Sequence, residues 1–85
     1  MRITHPTGRP NYSVLETEAY ALHFSYETPI VLEVRSVHGD ARTLYRRPND
    51  WGPTTGKHFN AAIGGRTAEA LSSSEFVDMI RYCET

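Results

Sequence analysis

The sequence predicts an α+β fold, an antiparallel sheet of about four strands followed by two helices packed on one face. Three observations carry this. Up to Arg47, apolar and polar residues alternate with a period of two, as in strands. From Thr54 onward, apolar residues recur at helical spacing. Between these regions lies Pro48-Asn49-Asp50-Trp51-Gly52-Pro53, a loop closed at both ends by proline and holding the chain's single Trp.

Residues 1–11 contain Pro6, Gly8 and Pro10, which break ladders and helices. They read as a loose leader or as an arm on a sheet edge. Tyr12–Leu15 is a first short strand, although Val14, Leu15, Ala19 and Leu22 also fit one helical face. Tyr20, Leu22, Phe24 and Tyr26 then alternate with Ala21, His23 and Ser25, so 20–26 is a strand. His23 falls on the face opposite Tyr20 and Phe24, where it is expected to be exposed or half-buried. Glu27-Thr28-Pro29 makes a turn. Ile30–Val37 is rich in β-branched residues, with Ile30, Leu32 and Val34 on one face and Glu33 and Arg35 on the other. His38-Gly39-Asp40-Ala41 is expected to be a hairpin loop, with Gly39 free to take positive φ. Arg42–Arg47 returns as the last strand, Thr43, Tyr45 and Arg47 facing away from Arg42, Leu44 and Arg46, and Pro48 ends it.

The first helix is expected to start at Thr54 or Thr55, whose hydroxyl could accept a bond from a free backbone N–H. Phe59, Ala62 and Ile63 form its apolar face, and Gly64-Gly65 stops it. The second helix has a capping box, with Ser72 as N-cap and Glu75 three residues on. Leu71 and Phe76 form the hydrophobic staple around it. Phe76, Met79, Ile80 and Cys83 mark its buried stripe, while Glu75, Asp78 and Arg81 face water and suit the helix dipole.

A chain of 85 residues predicts one domain, burying about 60–65% of the surface its unfolded form exposes. The nine aromatics, five Tyr, three Phe and one Trp, suffice for a core without disulfides. The single cysteine, Cys83, excludes an intramolecular disulfide and a cysteine-based zinc site. The N-terminus has no apolar signal core, and no apolar run approaches the ~18 residues that span a membrane. The expected compartment is therefore reducing and cytoplasmic. Net charge is −1, but residues 35–66 hold five Arg and Lys57 against two Asp, while the flanking segments are acidic. Such a basic middle can face an anion, or its acidic flanks can neutralise it.

Gly56-Lys57 beside a helix start invites comparison with a phosphate-binding loop. That motif needs four residues between its glycines and Ser or Thr after the Lys. Here three residues separate Gly52 from Gly56, and His58 follows Lys57, so nucleotide hydrolysis is set aside. A simpler anion site remains, built from the N–H groups of residues 55–57 with Lys57 and His58. Its alternative is that the threonines merely cap and Lys57 is solvated. His5, His23, His38 and His58 form no i,i+4 pair, so no metal and no cofactor is expected, although folding could bring His58, His23 and an acid together. Ser72–Ser74 are explained by capping, and no Gly-x-Ser-x-Gly elbow occurs. An isolated His58 without an orienting partner is weak ground for a general base. Tyr20, Phe24, Tyr26, Tyr45 and Trp51 with Arg42, Arg46 and Arg47 could form a platform for a single nucleic-acid strand. The aromatics are also needed for the core.

Two segments carry a resemblance. Phe24-Ser25-Tyr26-Glu27-Thr28-Pro29-Ile30-Val31 and Trp51-Gly52-Pro53-Thr54-Thr55-Gly56-Lys57-His58, with Leu44-Tyr45 in the gap between them, resemble a family of small proteins from phages and other mobile elements. That family shows a Tyr-x-Thr-Pro-Ile/Val segment followed by Thr-Thr-x-x-His. Gly52-Pro53 departs from its usual pattern. The resemblance covers roughly residues 20–63 and implies a shared small fold, with no activity to carry over. With it, the sequence points to a non-enzymatic accessory protein that binds a host macromolecule, a protein first, with inhibition of a host defence nuclease as one form. The contact residues would be Trp51, Thr54, Thr55, Lys57, His58, Arg42, Arg46 and Arg47. The alternative is nucleic-acid binding through the basic Arg35–Arg66 region. An exposed strand edge could also pair two copies.

Overall fold

The computed structural model describes residues 2–4, 11–35 and 42–84. The expected hairpin loop at His38–Ala41 lies outside them. The elements in chain order are β1 (Arg2–Thr4), β2 (Tyr12–Glu16), β3 (Tyr20–Ser25), β4 (Thr28–Arg35), β5 (Arg42–Arg46), α1 (Pro53–Ile63), β6 (Ala68–Ala70) and α2 (Ser73–Glu84). The α+β class is as expected. The strands form one sheet of six in the order β1-β2-β3-β4-β5-β6, antiparallel except for the parallel β5–β6 pair. Parallel neighbours need a crossover between them, and α1 provides it. Part of residues 1–11 is the edge strand β1, the second of the two expectations for that segment, whereas Ala68–Ala70, which form β6 after α1, were not expected as a strand.

The layering also differs from the expectation. The helices lie on opposite faces of the sheet. Phe59 and Ala62 of α1 pack with Tyr12, Val14, Ala21, Val31 and Leu44. Phe76 of α2 packs with Tyr20, Leu22 and Leu32, flanked by Leu15, Val34 and Tyr45. Ala21 and Leu22, Val31 and Leu32, and Leu44 and Tyr45 are sequence neighbours and therefore point to opposite faces. A sheet covered on both sides needs apolar residues on both, and the continuous run Ile30-Val31-Leu32, fully buried, supplies them at the centre.

The local chemistry explains the turns. Thr17 Oγ1 accepts from the backbone N–H groups of Ala19 and Tyr20 at 3.3 and 3.1 Å, closing the β2–β3 turn. Tyr26 and Glu27 form the β3–β4 turn, so Tyr26 is not a strand residue; its φ of +57° is a left-handed value. Pairing shifts between His23 and Phe24, which face Val31 and Pro29, and Ile30 is the extra residue of a bulge. At α2 the capping box forms as expected: Glu75 N–H donates to Ser72 Oγ at 3.2 Å, and Ser72 N–H to Glu75 Oε1 at 3.0 Å. The bond from the Ser72 backbone N–H, and then the Ser72 hydroxyl, hold the Glu75 carboxyl below its ordinary value.

The start of α1 is a correction. Gly52 is the N-cap, Pro53 opens the helix, and no side chain caps it. Asn49 Oδ1 instead accepts from the N–H groups of Trp51 and Gly52 at 3.1 and 3.2 Å, and Asn49 Nδ2 donates to Gly52 O at 3.1 Å. Thr54 is exposed and Thr55 points inward. Gly64, with φ of +61°, ends the helix in the left-handed conformation.

Candidate functional site

Between α1 and the sheet lies a line of polar side chains. Ala21, His23 and Ser25 share one face of β3 through its period of two, and α1 covers that face, so His23 is buried, not exposed or half-buried as expected from its alternation. The Tyr12 hydroxyl and His23 Nδ1 are 2.8 Å apart. His23 Nε2 lies 3.5 Å from Glu33 Oε2. On the other carboxylate oxygen, Arg42 and Arg66 each donate a terminal N–H at 2.8 Å. Farther along, His58 Nδ1 is 2.6 Å from Ser25 Oγ, which is 3.2 Å from Thr55 Oγ1. The Tyr12 ring joins the two groups, stacked with His23 at 6.0 Å and with His58 at 5.6 Å between centroids.

Burial sets the proton chemistry here. It pushes the Tyr12 hydroxyl up to about 12, more than the nearby Arg66 charge lowers it. It pushes His23 down, more than the hydrogen bond and charge of Glu33 raise it. For Glu33, burial favours the neutral acid, but the hydrogen bonds from Arg42 and Arg66, the Arg66 charge and the His23 bond together outweigh burial and hold the carboxyl at about 2. Glu33 is thus a buried carboxylate with its counter-charges supplied, and Tyr12 and His23 are neutral at physiological pH.

Ser25 and His58 have the separation of a nucleophile and its base. Their exposures are 2% and 3%, so a substrate atom cannot reach the hydroxyl, and the pair is an interior hydrogen bond. Among the described residues, no group of three or more His, Cys, Asp or Glu side chains could hold a metal ion. His23, His58 and Glu33 do fall in one region, but the two imidazoles bond different partners, Tyr12 and Ser25, and each stacks with the Tyr12 ring. Gly56-Lys57 lie inside α1 and form no phosphate loop. Gly56 N–H donates to Gly52 O at 3.0 Å, which removes it from the anion site expected from residues 55–57.

The eight expected contact residues are dispersed. Thr55 and His58 face the interior. Arg42 holds Glu33. Arg46 and Arg47 point to opposite faces of the sheet. The Arg46 guanidinium carbon lies 4.5 Å from the Phe59 ring centroid under α1. The Arg47 guanidinium carbon lies 4.9 Å from the Trp51 ring and 5.9 Å from the Phe76 ring. Trp51, Thr54 and Lys57 remain at the surface. Trp51 is 47% exposed, and the Asn49 bond to its N–H, the Arg47 guanidinium and the flanking prolines hold it in place. Sequence reasoning missed Tyr12, Ser25, Glu33 and Arg66 as members of one network. The available signal, for Ser25 and Glu33, was a polar residue set among apolar ones in β3 and β4.

No described helix is long and apolar enough to cross a membrane. The profile of a family of unknown function, DUF8033, matches residues 7–78. No curated protein and no solved structure matches the chain.

Proposed function

The chain belongs to DUF8033, a family that brings no activity with it, and we propose from the site itself that the protein is a non-enzymatic module binding a protein partner through Trp51. The observation that carries this reading is the placement of that indole. It is half-exposed, yet its backbone N–H is held by Asn49, which also bonds Gly52, and its ring face by Arg47. A pre-positioned aromatic loses little freedom on binding, and Trp and Arg are the side chains on which interfaces most depend. Arg47 beneath the indole, with Thr54 and Lys57 exposed on the first turn and a half of α1, supplies a polar and cationic rim. The burial of Ser25 and His58 supports the non-enzymatic part. The resemblance to phage and mobile-element proteins supports a host protein as the partner, with inhibition of a host defence nuclease as one form.

The test is a comparative capture. Tagged wild-type protein and Trp51→Ala are each incubated with lysate of the cell in which the protein works. A stoichiometric protein retained by the wild type and lost with Trp51→Ala supports the reading. Equal retention by both, or retention by neither, removes it.

A further inference from the structure

The cavity between β5, β6 and the C-terminal half of α1 lies apart from the Trp51 surface. It has a volume of about 390 Å³ and is lined by Arg46, Asn60, Ile63, Gly65, Arg66 and Ala68. That volume is in the range of small-ligand pockets. None of the lining residues is acidic.

Its two guanidiniums are in unlike states. Arg66 is fixed. Its Nε donates to Ile63 O at 2.9 Å, one terminal nitrogen to Ala62 O at 2.9 Å and the other to Glu33 Oε1 at 2.8 Å. Five N–H groups are available on a guanidinium, so each terminal nitrogen keeps a second N–H. These bonds also neutralise the carbonyl end of α1, which would otherwise repel an anion. Among the described residues, what holds Arg46 is its stacking on Phe59. It is half-buried and, among the described residues, its guanidinium donates to no acceptor. Its nitrogens stay within reach of water, whose place a ligand's oxygens can take. Glu33 is the acid bonded to Arg66, and Arg42 bonds the same oxygen, so two guanidiniums share one carboxylate.

We propose that this cavity is a binding site for a small phosphomonoester, its phosphate held by the Arg46 guanidinium, the remaining N–H groups of Arg66 and the Asn60 amide. Guanidiniums match phosphate oxygens two at a time, and stacking on Phe59 places Arg46 before a ligand arrives. Ile63 and Ala68 offer apolar surface to the organic part. Inorganic phosphate shares the recognition chemistry without that part, so the two sources are separable.

The experiment is a titration of the whole chain, followed by the NMR signals of the arginine Nε–H groups and the Asn60 side-chain amide. The probes are inorganic phosphate, phenyl phosphate and a single-stranded oligonucleotide. The expected result is saturable shifts at Arg46, Arg66 and Asn60 with both small phosphates, tighter with phenyl phosphate, at affinities on the order of millimolar or better. Arg46→Ala should weaken binding about tenfold or more, the size of a lost charged hydrogen bond, and Arg46→Lys should lose less. Asn60→Ala, at an exposed helix position, should weaken it severalfold and keeps the test decisive if Arg46→Ala disturbs Phe59. Tighter phenyl phosphate binding supports the organic contact, and equal binding limits the site to inorganic phosphate, overturning the ester. No saturation with either small phosphate overturns the proposal, as does binding unchanged in both variants. Shifts produced by the oligonucleotide alone assign the site to nucleic acid and overturn it as well.

Discussion

Replacing Glu33 by Gln removes one charge from the interior while keeping the shape of the side chain. The carboxyl is held at about 2 against an ordinary 4.5. At 1.36 kcal/mol for each pH unit, that difference is about 3 kcal/mol of preference for the charged form in the fold. Glu33 itself is 4% exposed, but its partners Arg42 and Arg66 are 46% and 45% exposed. Water screens their side of the interaction, which leaves an expected loss of about 2 kcal/mol. For a chain of this size that lowers Tm by roughly 8–16 °C. The assay is urea and thermal unfolding of wild type and Glu33→Gln across pH. A carboxyl lowered in the folded state stabilises fully above its unfolded value of 4.5, and this is lost as pH falls toward about 2. The difference between the proteins should therefore be complete near neutral pH and close in acid. A difference below about 0.5 kcal/mol near neutrality, or one that stays constant as the solution is acidified, refutes the assignment of Glu33 as the charge that holds Arg42 and Arg66.

Two further outcomes follow from the same interior and from the helix ends. His23 is neutral in the fold because burial lowers it below 6.5, so the unfolded chain takes up its proton first and stability falls as pH drops below that value. In His23→Gln, the slope of unfolding free energy between about pH 7 and 5 should be shallower than in the wild type, and an unchanged slope counts against a neutral His23. The helix starts should respond unequally: Ser72→Ala costs about 1 kcal/mol through loss of the α2 cap, whereas Thr54→Ala changes thermal stability by no more than about 0.5 kcal/mol, as at an ordinary surface position. Equal losses in the two variants would mean that Thr54 does cap α1.

Local chemistry was the most legible part of this chain. The Ser72–Glu75 box and the Leu71–Phe76 staple lie within five residues of one another, and the bonds form between those atoms. The alternation from Tyr20 to Ser25 and from Arg42 to Arg46 correctly separated two faces in each strand. It did not reveal that both faces are covered. The polar side chains His23, Ser25 and Glu33 suggested a wet face, because an unpaired polar group does not stay buried. The network supplies the missing partners from Tyr12, Thr55, His58, Arg42 and Arg66. The threonines before Lys57 misled for a related reason. A Thr at a helix start caps well in isolation, but Pro53 sets the first turn one residue earlier and Asn49 takes the bonds ahead of it.

Sequence alone therefore determined the change from β to α across the Pro48–Pro53 loop, the strands at β3, β4 and β5, and both helices, with the Gly64 stop of the first. Each depends on residues close enough along the chain to be compared directly. The tertiary structure decided the placing of α1 and α2 on opposite faces, the parallel entry of β6 beside β5, and the fate of the charged residues. Periodicity shows that a strand has two faces but not what will lie against them. Glu33 became an interior carboxylate only because folding brought Arg42, nine residues away, and Arg66, thirty-three residues away, onto the same oxygen.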